Sequence, residues 1–425
     1  MTADIDINGV RLLGRLDQFA EIGATARGGV NRQALTGLDR EARALLAGLA
    51  AARGFGVFQD PVANLFIRRS GRDDRAPPLL IGSHLDSQPA GGRFDGALGT
   101  LSAFEVLESF EDAGIETDRS IEVVAWTNEE GCRFAPGCMG SSAFSAGVIP
   151  AAWSELVSTD GALFGDELKA TLEALPQATM RDLGMPVHAY LEVHIEQGPS
   201  LEKEDISIGI VTGIQGTRWL QVEVSGQTAH AGTTALSYRR DPLRAMISAL
   251  DTLYSTVMPQ DESARFTVGR INVEPGAINA IPEMARCTID IRHPDSLEID
   301  RLNATIERCF EERAKAQRCE VLFKRSFDMS PANFPEKLLG VLESAAEVAG
   351  LATKRMVSGA FHDALFVNRI APSAMIFVPC REGLSHNEAE YAAPEHVISG
   401  ARVLLQSTVE LAKAEKDGIS GAIGA

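Results

Sequence analysis

The stretch Thr127 to Phe134, TNEEGCRF, places two glutamates side by side directly after the apolar run IEVVAW. Like charges at the end of a buried strand repel, and each is driven toward neutrality or toward a partner. The same class of residue recurs at three other apolar runs. PPLLIGSH delivers His84 with Asp86 just beyond it, AYLEVHIEQG delivers His194 and Glu196, and PSAMIFVP is followed by His386 in GLSHNEAE. Asp95 lies in the glycine-rich loop QPAGGRFDG after the first run. Taken singly, each has an ordinary explanation: a hydrogen-bonded histidine, a solvated acidic turn, turn chemistry for Asp95. Jointly they sit where open α/β sheets bind ligands, beyond the carboxyl ends of the strands.

Imidazole and carboxylate donors without thiolate suit zinc, manganese or similar divalent ions. A carboxylate such as Asp95 can bridge two ions, and a close pair of ions can hold a hydroxide between them. Asp86, two residues past His84 on an extended chain, faces the same side and is expected to accept the second ring N–H of that histidine. Two cations would relieve the repulsion within the acidic pair, and the neighbours need not share a task. Glu130 can bind metal while Glu129 takes a proton as general base. Cys132 borders the pair, but a thiol nucleophile needs a cationic neighbour rather than Glu130.

The elements that must position these residues are legible as alternating strands and helices. After PPLLIGSH, the segment ALGTLSAFEVLESFEDAG spaces Leu98, Leu101, Val106 and Phe110 for a helix that stops at Gly114. SIEVVAWTNEEG is again strand then loop, and a helical stretch around Asp166 to Ala174 precedes AYLEVHIEQG. Such alternation predicts a mostly parallel sheet covered on both faces. From about Val211 the texture changes: RWLQVEVSG, ARFTVGRINVEPG and ARCTIDIRHP alternate as half-buried antiparallel strands, separated by two amphipathic helices. After about Arg325 the alternation returns, with a final helix near Ala393 to Ala412. The tail KDGISGAIGA is small and polar and is expected to fray.

A chain of 425 residues exceeds one ordinary core, so two domains are expected. Forty basic against 58 acidic residues leave a net charge of -18, which argues against a nucleic-acid surface. The opening MTADIDINGV has neither a basic nor an apolar segment of signal-peptide type, and no apolar run reaches membrane-spanning length. Six cysteines without a CxxC pair read as reduced thiols, and a cytoplasmic location is expected.

The motifs GSHLDSQPAGGRFDGALG, TNEEGCRF, YLEVHIEQGP, GQTAHAGTT, NAIP with DIRHPD, SGAFHDA and GLSHNEAE together resemble the amidase/hydantoinase/carbamoylase family, within the aminoacylase and carboxypeptidase superfamily. The resemblance spans about residues 80 to 390. It implies an α/β, metallopeptidase-like catalytic domain (1–211 and 327–425) interrupted by a smaller α+β lid and dimerisation domain (212–326). It further implies one divalent ion held by His84, Asp95 and His194 and a second by Asp95, Glu130 and His386. Zinc is the first expectation, with Mn2+, Co2+ or Ni2+ as alternatives. Glu129 would be the base. His230 would reach the partner subunit's site and stabilise an oxyanion, and Asn279 and Arg292 would grip a substrate carboxylate, also in trans. Gln197, His362 and the Gly359 backbone would complete the pocket. Read from its residues alone, Arg292 ends the alternation CTIDIR and has an interdomain salt bridge as its plain alternative. Phe361 departs from the family's frequent SGAGHDA, and TTAL replaces the commoner TTPM.

The expected reaction is hydrolysis of the ureido C–N bond of an N-carbamoyl-L-amino acid or N-carbamoyl-β-alanine, giving amino acid, carbon dioxide and ammonia. The expected partners are that small carboxylate-bearing substrate and a second copy of the chain, with neither nucleic acid nor membrane. Allantoate is the alternative substrate. Behind it stand an acylamino acid or dipeptide and a non-catalytic metal-binding homologue.

Overall fold

The computed structural model describes residues 5–413 and falls into two compact units, Met1–Thr212 with Phe334–Ala425, and Gly213–Asn333. The KDGISGAIGA tail lies outside the described residues.

In the first unit, four parallel strands form the centre of the sheet. Their order is Ser373–Val378, Ala189–Ile195, Leu79–His84, Ile121–Trp126. Every residue of all four is buried, which only sheets covered on both faces allow. Their Leu, Ile and Val side chains each contribute about 1.5–3 kcal/mol of burial. Flanking strands missed in the sequence, Gly56–Gln59 and Leu65–Arg69 on one side and Ile208–Ile214 on the other, join antiparallel.

Parallel register aligns the strand ends. His84 pairs with Trp126, and Val378 with Ile195. Leu79 pairs with Ala189, and the same register carried to the end brings His84 level with His194. From His84 the chain crosses through the helix Ala97–Asp112 to the Ile121–Trp126 strand on one side, whereas the Ala189–Ile195 strand lies on the other. The sheet order therefore reverses at His84 and His194, the place where a crevice opens.

The helix Ala97–Asp112 is buried on nearly every residue because it lies between the sheet and the helices Gly9–Glu21 and Pro394–Leu411. Its buried Glu105 and Glu108 are paired with Arg11 and Arg15. At its start Gly96 adopts φ +67, and a Cβ there would stand 2.3 Å from the His84 ring. Only glycine satisfies both demands.

The second unit is an antiparallel sheet in the order Arg265–Glu274, Met284–His293, Gly216–Ser225, Glu320–Met329. The helices Pro242–Gln260 and Ser296–Ala316 share its core, with Val222, Val224, Met246, Leu253, Ile289, Ile306 and Phe310 buried among them. Glu320–Met329, not foreseen as a strand, pairs with Gly216–Ser225 from Ser225 back to Thr217. No helix among the described residues is long and apolar enough to cross a membrane, and the six cysteines are free thiols.

Candidate metal centre

Three strand ends and two loops bring His84, Asp95, Glu129, Glu130, His194 and His386 together. Two groups form around a shared residue. Ligand-type atoms of His84, Asp95 and His194 lie within 4.8 Å of one another, as do those of Asp95, Glu130 and His386. The two oxygens of Asp95 divide between them. Oδ1 stands 3.1 Å from His194 Nε2 and 3.7 Å from His84 Nε2, and Oδ2 stands 3.5 Å from His386 Nε2. His386 Nε2 is also 3.5 Å from Glu130 Oε2.

The two buried histidines are oriented by the backbone. His84 Nδ1 lies 2.9 Å from the Asp86 carbonyl and His194 Nδ1 3.0 Å from the Ile195 carbonyl. A carbonyl only accepts, so Nδ1 carries a proton in each ring and Nε2 is the nitrogen turned toward Asp95. Both Nε2 atoms are buried and lack a hydrogen-bond partner among the described residues. Buried polar atoms are rarely left so. His84, His194 and Asp95 would hold a divalent ion that satisfies these nitrogens, and the donor set without thiolate fits zinc-type ions.

Asp86 corrects the sequence reading. Its carboxylate Oδ1 is 3.8 Å from His84 Nδ1, beyond hydrogen-bond reach; its backbone carbonyl takes the ring proton instead. The chain leaves the extended path once the strand ends at His84. The Asp86 carboxylate turns to the acidic pair, accepting the backbone N–H groups of Glu129 at 3.3 Å and Glu130 at 3.2 Å.

That pair sits in a tight turn in which Asn128 takes φ 55 and ties its amide to the Phe134 and Pro136 carbonyls. The two carboxylates then diverge. Glu129 Oε2 lies 3.5 Å from His84 Nε2, and its Oε1 accepts from the Cys138 thiol at 3.6 Å. Glu130 takes hydrogen bonds from Gln88 at both oxygens. Burial, then the neighbouring Asp363, Glu130 and Asp95, holds the Glu129 carboxyl well above the usual range. Burial, then Asp95 and Asp86, does the same to Glu130. Burial pushes His84 down to about 4, whereas at His194 the burial effect is outweighed by Asp95, which raises it to about 9. Acids that resist ionisation, crowded beside two buried histidines, make a centre that a cation would relieve.

The remaining site residues fall into two sets. In the first unit, Gln197 at φ 56 donates Nε2 to Asp95 Oδ2 and to Ser385 Oγ, each at 3.0 Å. His362 is buried with its ring centroid 4.5 Å from that of His194, and its Nε2 is 3.1 Å from Ser358 Oγ. Gly359 lies exposed before it, and Phe361 is half-buried. In the second unit, His230 is exposed on a short strand paired with Ala280–Ile281, and its Nδ1 accepts the N–H groups of Gly232 and Thr233. Its proton therefore sits on Nε2, which faces outward as a donor. Asn279 is exposed, its carbonyl bound by the Ala231 N–H. Arg292 pairs with Asp290 of its own strand at 2.9 Å.

Sequence reasoning passed over Gln88, Cys138, Glu192, Asp363, Ser385 and Glu390. Ser385 Oγ donates to Asp95 Oδ2 at 2.9 Å, and Glu390 accepts the N–H groups of Phe94 and Asp95. Glu192, buried within its strand, binds Ser83 Oγ at 2.7 Å and the Tyr190 hydroxyl at 3.1 Å. Polar residues inside apolar runs, as in AYLEVHI, and acids next to quoted ligands, as in SHNEAE, were the available signals.

The profile of peptidase family M20/M25/M40 matches residues 80–409, the span that carries every residue of this centre. The chain belongs to peptidase family M20/M25/M40. An N-carbamoyl-L-amino-acid amidohydrolase of Rhizobium meliloti is 39% identical over 96% of this chain and 97% of its own length. A ureidoglycolate hydrolase of Arabidopsis thaliana is 31% identical over 97% of this chain and 88% of its own. A crystal structure of a hydantoinase/carbamoylase family amidase from Burkholderia multivorans superposes with a TM-score of 0.89 at 40% identity, covering 96% of this chain and 98% of that one. This M20 chain is thus an enzyme, an amidohydrolase related to the hydantoinase/carbamoylase amidases.

Proposed function

We propose that this enzyme hydrolyses the ureido C–N bond of an N-carbamoyl-L-amino acid or N-carbamoyl-β-alanine, using two divalent ions, zinc foremost. The observation that carries the reading is the division of Asp95, one oxygen toward His84 and His194 and the other toward His386 beside Glu130. When bound there, a pair of divalent ions supplies Lewis acidity toward the ureido carbonyl oxygen and acidifies water.

The chain's own residues do the rest. Glu129, with Oε2 turned toward the His84 ring, takes the proton of the attacking water and returns it to the leaving nitrogen. Water adds to the ureido carbon, the C–N bond breaks, and the carbamic acid fragment falls to carbon dioxide and ammonia. His230 donates Nε2–H to the developing oxyanion. Arg292 and Asn279 hold the substrate carboxylate, the guanidinium as a planar fork. Gln197, His362 and the Gly359 backbone line the pocket. In this reading the Gly213–Asn333 unit is lid and dimer surface, and His230, Asn279 and Arg292 serve the active site of a second copy of the chain.

The substrate assignment draws on the 39% identical N-carbamoyl-L-amino-acid amidohydrolase. The ureidoglycolate hydrolase relative keeps a second reading, a ureido substrate such as allantoate or ureidoglycolate. The test is ammonia release from N-carbamoyl-L-amino acids, N-carbamoyl-β-alanine, allantoate and ureidoglycolate, with Zn2+, Mn2+, Co2+ or Ni2+ returned to stripped enzyme. Turnover confined to allantoate or ureidoglycolate selects the second reading, and activity independent of any ion rejects the metal assignment.

A further inference from the structure

The two groups that meet at Asp95 are built to different standards. In the first, His84 and His194 are each 1% exposed at the side chain, and a backbone carbonyl fixes each ring. In the second, His386 sits at φ 52 with its side chain 53% exposed, and no hydrogen bond orients its ring among the described residues. Asp95 is common to both, and its Oδ2, the oxygen nearer His386, is held by Gln197 and Ser385. The carboxylate that belongs to the second group alone is Glu130.

Glu130 is held at both ends. Its backbone N–H is anchored on Asp86, and its carboxylate is gripped by one residue, Gln88. The Gln88 backbone N–H donates to Oε1 at 3.1 Å and its carboxamide Nε2 donates to Oε2 at 2.6 Å. Each carboxylate oxygen has two acceptor directions, so one on each remains for a cation. Oε2, the oxygen the carboxamide holds, is also the one that faces His386 Nε2 at 3.5 Å.

We propose that Gln88 is a positioning residue that sets the affinity of the second ion, the one held by Asp95, Glu130 and His386. The inference rests on the dinuclear reading above. Fixing the carboxylate before the ion arrives removes an ordering cost from binding. The first group owes nothing to Gln88. The consequence is unequal retention: the ion at His84 and His194 is held to the end, and the ion at His386 leaves first.

The experiment is equilibrium dialysis of the zinc-loaded enzyme against a graded zinc chelator, with bound zinc per chain counted by elemental analysis. Wild type should lose zinc in two separate steps. Gln88→Leu, which keeps the side-chain volume and the backbone N–H but lacks the donor, should leave the tighter step in place. Its weaker step should move by about 10–100-fold toward lower affinity. An unmoved tighter step also reports an intact fold. Gln88→Asn, whose shorter amide falls short of Oε2, should shift the same step. The inference fails if Gln88→Leu matches wild type, or if both steps move together. It also fails, along with the dinuclear reading, if wild type takes up a single zinc ion. Two ions bound without ureido hydrolysis would sink the substrate assignment and leave Gln88 in its role.

Discussion

The carboxylate of Asp86 lies 3.2 Å from the backbone nitrogen of Glu130 and accepts its hydrogen bond. Its other oxygen accepts from Glu129, while its carbonyl holds the His84 ring. One residue thus couples the histidine strand to the acidic turn. Asp86→Ala should leave both turn N–H groups without an acceptor, at a cost of about 1–3 kcal/mol each. Urea unfolding of wild type and variant measures it. A loss below about 0.5 kcal/mol would mean that the turn holds itself.

Glu129 and Glu130 are neighbours to which the proposed function gives separate duties. Glu129→Gln keeps the shape and the backbone anchor and removes the proposed proton carrier. Zinc content should match wild type, and kcat should fall by about 10²–10⁴-fold. Unchanged turnover rejects Glu129 as the base, and lost zinc assigns it to ligation.

His230 lies on the second unit with its Nε2–H turned outward. If it serves the partner subunit's site, Glu129→Gln and His230→Ala are each nearly inactive alone yet complement when co-refolded. Random pairing at equal amounts puts half the chains in mixed dimers with one working site of two, so about one quarter of wild-type activity should return. No recovery, with mixed dimers demonstrated by differential tagging, rules out action in trans.

Acid dependence of stability should be visible at Asp160. Its hydrogen bonds from Arg133 and Ser158 lower it from 3.8 to about 2. A folded value below the unfolded one contributes stability that is full above about 4 and is lost as pH falls toward 2. Its side chain is 58% exposed, so solvent screening keeps the contribution small. Asp160→Asn should have a lower Tm than wild type at pH 6, and the gap should close as pH falls through 4. A gap that is constant with pH would show that the contact acts through shape rather than charge.

The catalytic architecture was readable to the extent that it is local. The helices at Ala97–Asp112, Glu336–Val348 and Pro394–Leu411 follow the apolar spacing of their sequences. The strands Leu65–Arg69, Ile208–Ile214 and Glu320–Met329 escaped notice because the last is largely exposed and the others are short runs of ambiguous period. Asp86 was placed on an extended chain that in fact turns at the strand end, so its neighbours were misjudged. Arg292 pairs with Asp290 two positions back in its own strand, a contact the alternation of CTIDIR does not announce.

What the residue string determined by itself is the set of ingredients. Strands buried on both faces must be continuous apolar runs, so the imidazoles and carboxylates that interrupt or follow them stand out as chemistry. Which oxygen of Asp95 meets which histidine, and which amide holds Glu130, was decided only in three dimensions. Gln88 and Glu130 are 42 positions apart, and Asp95 and Ser385 are 290 apart. Contacts at that separation depend on parallel register and on the turns beyond the strand ends, and neither leaves a period in the sequence.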